Sequence, residues 1–101
     1  MIKRTILYGQ PEDQKAFDDY YFNKHLVLVR SVPNVLRIEV SKVVDITGSL
    51  DLSFYVVAEI WYEDAEAFAA ASASPEGAAA AADVPNFATG GVTVLRSEIA
   101  P

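Results

Sequence analysis

The apolar residues of this chain change their spacing several times, and each change marks an element. Ile2 to Tyr8 reads as a strand, broken by Gly9-Gln10-Pro11. A helix capped at Asp13 or just before it then runs to about Val32 and stops at Pro33-Asn34. Along it Phe17, Tyr21, His25, Leu28 and Val32 recur at steps of four, four, three and four, the spacing of one buried face. From Val35 to Val44 the period drops to two, with Leu36, Ile38 and Val40 on one side and Arg37, Glu39 and Ser41 on the other. Residues 45–51 have the composition of a loop.

Ser53 to Tyr62 is a third strand, rich in aromatic and β-branched residues. One side carries Phe54, Val56, Ala58, Ile60 and Tyr62, and the other Tyr55, Val57, Glu59 and Trp61. Both sides are largely apolar, so a second subunit is expected to cover the side that the helices leave bare. Trp61 is expected to anchor that interface, with Glu59 pairing to an arginine such as Arg37. Glu63-Asp64 opens a helix over 65–73. Ser74-Pro75-Glu76 caps a further short helix reaching Ala82, residues 83–91 form a loop, and Val92 to Ile99 is the last strand. The order βαββαβ predicts an α+β, ferredoxin-like domain over 1–101, with a four-stranded antiparallel sheet in the order 4-1-3-2.

Composition narrows the functions available. Eight basic residues against 14 acidic ones leave a formal charge of −6, with no basic run, which argues against nucleic acid or an acidic membrane surface as partner. The absence of cysteine excludes disulfides and thiolate chemistry, and the single histidine makes a poor ligand set for a metal or haem. Neither a nicotinamide nor a flavin fingerprint occurs, so no cofactor is expected. No signal peptide and no apolar run long enough to span a bilayer is seen, and a cytoplasmic location is expected.

The segment Phe17-Asp18-Asp19-Tyr20-Tyr21-Phe22-Asn23-Lys24-His25-Leu26-Val27-Leu28, followed by Val32-Pro33-Asn34-Val35, resembles the EthD family, named for ethyl tert-butyl ether degradation. So do Ala58-Glu59-Ile60-Trp61-Tyr62, Ala73-Ser74-Pro75-Glu76-Gly77 and the block from Asp83 to Val92. The chain departs from the family's usual His-x-Pro-Leu in having Val27 at the proline position, and Asn34 stands where glycine is usual. The resemblance implies a homodimeric α+β barrel acting on a small apolar or aromatic-derived metabolite of a catabolic or biosynthetic pathway. An oxidoreductase of the ether-degradation type, or a non-catalytic accessory protein to an oxygenase, is also compatible with it.

Two readings of His25 stay open. As a general acid or base, with Tyr21 one turn earlier as its partner, it would carry a cofactor-independent isomerisation or cyclisation. As a structural residue it would only satisfy a buried hydrogen bond. Around it Tyr8, Phe17, Leu28, Asn86 and Phe87 are the expected substrate contacts. The alanine-rich stretch of residues 65–82 either packs closely on the sheet or leaves a cavity.

Overall fold

A computed structural model describes residues 1–44 and 53–101. The loop expected at 45–51 lies outside the described residues. Four strands, β1 (Ile2–Gly9), β2 (Arg37–Lys42), β3 (Phe54–Tyr62) and β4 (Val92–Glu98), form one antiparallel sheet in the order β2-β3-β1-β4. This is the predicted order 4-1-3-2 read from the other edge, and the fold is ferredoxin-like. All the described helices lie on one face, and the molecule is a slab with extents of 40 × 32 × 17 Å.

The first helical region has three parts: α1 (Gln14–Tyr20), a π-helical turn (Tyr21–His25) and α2 (Leu26–Arg30). Asp13 caps α1 by accepting from the Ala16 amide at 3.0 Å. The π turn, closed by the Leu26 amide bonding to the Tyr21 carbonyl, inserts an extra residue and resets the buried face. Phe17, Tyr21 and His25 are buried as the spacing predicts, but beyond the turn Leu26 and Val29 are buried while Leu28 is only half-buried. The chain leaves the helix through Asn34, whose φ of 64° is a left-handed conformation that asparagine tolerates.

The β3 pattern also shifts. Pairing with β1 jumps between Tyr8–Val56 and Gly9–Phe54, so Tyr55 is the extra residue of a bulge. Its ring is buried and packs edge-on against Phe17 at 5.3 Å, and its hydroxyl donates to Asp18 at 2.8 Å. Tyr55 thus belongs to the helix face, and the side bare of helices keeps Val57, Glu59 and Trp61, joined by Lys3, Thr5 and Leu7 of β1. Phe54, expected in the core, is exposed at the strand end. On the bare side Glu59 pairs with Lys3 at 3.1 Å, and Arg37 with Glu39 at 2.7 Å, so the expected Glu59–Arg37 pair is replaced by two others. Arg37 and Lys3 instead flank the Trp61 ring at 5.1 and 5.8 Å.

The second helical region is α3 (Ala65–Ala73), capped by Asp64, and α4 (Pro75–Asp83), capped by Ser74 with proline in its first turn. A side chain at Gly77 would strike the Ala71 carbonyl, so the two helices meet more closely than any other residue would allow. α4 continues one residue beyond its predicted end, to Asp83, and a 3-10 turn (Val84–Asn86) follows before the glycines that enter β4. Gly91 there has a φ of 88°, the permissive backbone that its sequence position suggests.

Candidate active site

Asp83 ends α4 and meets His25 at the end of the π turn: Nδ1 of the imidazole lies 2.9 Å from Oδ2 of the carboxylate. The other carboxylate oxygen accepts from the Tyr20 hydroxyl at 2.5 Å and from Nδ2 of Asn86 at 2.9 Å. Burial alone would raise the Asp83 pKa, but the donors Tyr20, Asn86 and His25 outweigh it and hold the acid below its usual range. For His25 the balance tips the other way. Burial lowers its pKa against the opposing pull of Asp83, so the ring is neutral near pH 7. An ionised Asp83 beside a neutral imidazole assigns the ring proton to Nδ1, leaving the lone pair on Nε2.

His25 forms part of the wall of a cavity of about 280 Å³ between the helices and the β1/β4 side of the sheet. Ile6 and Val94 form its floor, Val29, Val32 and Val84 its walls, and Ala80 and Ala81 of α4 stand back from it. The small side chains of α4 therefore leave space, one of the two outcomes their composition allows. Polar groups reach the lining from opposite ends: Tyr8 and His25 at one, Arg4 and Tyr62 at the other.

Tyr8 is 1% exposed, and among the described residues its hydroxyl has no hydrogen-bond partner. Its ring sits among Phe17, Tyr21 and Phe87, with centroids 5.7, 5.3 and 5.3 Å away. Burial, reinforced by the neighbouring Tyr21, drives its pKa far up, so it acts as a neutral hydroxyl and not as a phenolate. A buried hydroxyl left unpaired at a cavity wall is the kind of group that a ligand satisfies.

Of the residues singled out from sequence, Tyr8 and His25 line this cavity. Tyr21 stacks on His25 at 5.5 Å and supports it from behind. Phe87 packs on the same ring at 4.5 Å. Phe17, Asn86 and Phe87 border a separate depression on the far side of this aromatic cluster. Leu28 borders neither, because the π turn brings Val29 into its place.

Asp83, Tyr20 and Arg4 were not singled out from the sequence. A signal for Asp83 was present: a carboxylate at a helix C-terminus opposes the helix dipole, and such a breach of a local rule often marks a site. Among the described residues no three histidine, aspartate or glutamate side chains converge as a metal site would require.

The chain thus folds as a two-layer ferredoxin-like slab with a His–Asp pair beside an apolar cavity. The EthD domain model matches residues 9–91, and the chain belongs to the EthD family. It is 44% identical over 95 residues to an uncharacterized 11.0 kDa protein in the thcB-thcC intergenic region of Rhodococcus erythropolis, covering 94% of this chain and 91% of that protein. The crystal structure of an ethyl tert-butyl ether degradation family protein from Bacillus halodurans superposes with a TM-score of 0.89 at 36% identity, covering 99% of both chains. The fold is shared more distantly by SnoaB, a cofactor-independent oxygenase from Streptomyces nogalater, with a TM-score of 0.67, 15% identity and coverage of 97% and 91%.

Proposed function

We propose that the protein is an EthD-family enzyme that binds a small, mostly apolar metabolite in the 280 Å³ cavity and moves a proton on it without a cofactor, as in an isomerisation or cyclisation. The observation that carries this reading is the His25–Asp83 pair at the cavity wall. With Nδ1–H held by Asp83, Nε2 accepts a proton from a carbon acid, and the imidazolium that forms is stabilised by the adjacent carboxylate. The unpartnered Tyr8 hydroxyl donates to an oxygen of the substrate on which negative charge develops. Tyr21 keeps the ring in place by stacking.

The bare sheet face supports a second part of the proposal, a homodimer in which two such faces meet. The slab is only 17 Å across its thin dimension, and Trp61, Val57 and Leu7 on that face are only partly covered within one chain. Residues 1–101 then act as one unit, since every described strand joins the same sheet.

The test is His25→Gln assayed for turnover against lactone-like, quinone-like and polyketide-like compounds converted by the native protein. Loss of turnover with retained fold and retained ligand affinity is expected. Unchanged turnover in a folded variant overturns the acid–base role. A native protein that binds such compounds and converts none favours an accessory protein that holds a substrate for another enzyme.

A further inference from the structure

Arg4 and Arg96 stand directly opposite each other on β1 and β4, on the face that carries Ile6 and Val94 and therefore on the cavity side of the sheet. Both guanidinium groups lie 4.6 Å from the centre of the Phe68 ring, and Nη2 of Arg4 donates to Oγ of Ser72 at 2.7 Å. Among the described residues neither arginine pairs with a carboxylate, although Glu98 lies two residues beyond Arg96 on the same strand face. In a chain with 14 acidic residues, two like charges set cross-strand without a counter-ion among the described residues run against the usual pairing rule. Contact with Phe68 holds both guanidinium groups in place and leaves N–H donors over for another partner.

Arg4 is also part of the cavity lining, at the end opposite Tyr8 and His25. Tyr8 lies four positions beyond Arg4 on β1, about 13 Å along the strand, and the lining between them is apolar. We infer that the ligand is an elongated apolar acid whose carboxylate binds the Arg4–Arg96 pair, so that its other, oxygen-bearing end meets Tyr8 and His25. The planar fork of arginine matches a carboxylate with two parallel hydrogen bonds, and the anchor sets which atom of the ligand reaches Nε2. The inference rests on the cavity being the ligand site, as proposed above.

The experiment is calorimetric titration of the native protein, Arg4→Gln, Arg96→Gln and His25→Gln with 6-hydroxy-2-naphthoate and its neutral counterpart 6-hydroxy-2-naphthamide, with the His25 ring signals followed by NMR to locate binding. The native protein is expected to prefer the carboxylate by about tenfold or more, and increasingly so at low salt. Arg4→Gln should abolish this preference, Arg96→Gln should weaken it, and His25→Gln should keep it. Equal binding of the two probes at the His25 cavity, or a preference that survives Arg4→Gln, overturns the acid-anchoring inference and leaves the cavity reading standing. Failure of both probes to perturb His25 overturns the two together.

Discussion

The imidazole of His25 is oriented by a carboxylate 58 residues away in sequence, with Nδ1 2.9 Å from Asp83 Oδ2, and it closes one end of an apolar cavity. Asp83 therefore selects the tautomer. In Asp83→Asn the side chain can accept or donate, both tautomers become populated, and the ring loses the interaction that raised its pKa. We expect the His25 titration measured by NMR to move further down, and turnover to fall by about 10²–10⁴-fold. A single unchanged tautomer in ¹⁵N spectra would remove Asp83 from this role.

Stability should depend on pH through the same pair. The folded His25 pKa lies below its ordinary 6.5, so as pH falls through that value the unfolded chain takes up a proton before the native one does. This erodes stability from about pH 6.5 down to the folded pKa, where the loss is complete. Asp83, lowered from its ordinary 3.8, adds stability that is present above that value and lost as pH falls through its folded pKa. Melting temperatures followed from neutral to acid pH should fall less steeply for His25→Gln over the upper part of this range. Parallel curves for the two proteins would show that His25 is not held neutral by burial.

Tyr8→Phe separates function from packing by the sign of its effects. Removing a buried hydroxyl that has no partner should leave the empty protein equally stable or more stable, by about 1 kcal/mol. The same change should weaken binding of an oxygen-bearing ligand. A marked fall in melting temperature would mean that the hydroxyl is already satisfied in the free protein.

Trp61 tests the bare sheet face. In Trp61→Glu the new carboxylate would lie near Lys3 and Arg37, so the isolated chain should tolerate it, whereas a mirrored copy of the face would lose an aromatic anchor and gain a buried charge. Sedimentation should show a native dimer and a variant shifted to monomer. A native monomer at micromolar concentration would overturn the dimer, and an unchanged dimer in the variant would move the interface elsewhere.

Local patterning was sufficient for the elements, their order and much of the core. Alternation located the strands, and capping by Asp13 and Ser74 together with the glycine at 91 marked where the helices begin and β4 is entered. The buried stripe found His25 and Tyr21, because one helix carries both. What sequence could not supply came from two irregularities and from contacts between distant segments. The π turn moved the buried face from Leu28 to Val29, and the β3 bulge turned Tyr55 toward the helices. Each inserts one residue into a period that pattern reading takes as unbroken. Asp83 and Arg4 became parts of a site only through packing: α4 lies across α2 and brings Asp83 to His25, and β4 pairs with β1 and sets Arg96 against Arg4. Periodicity reports which way a residue faces within its own element. Which residue of another element it meets is decided by tertiary packing, and the chemistry of this protein lies in those meetings.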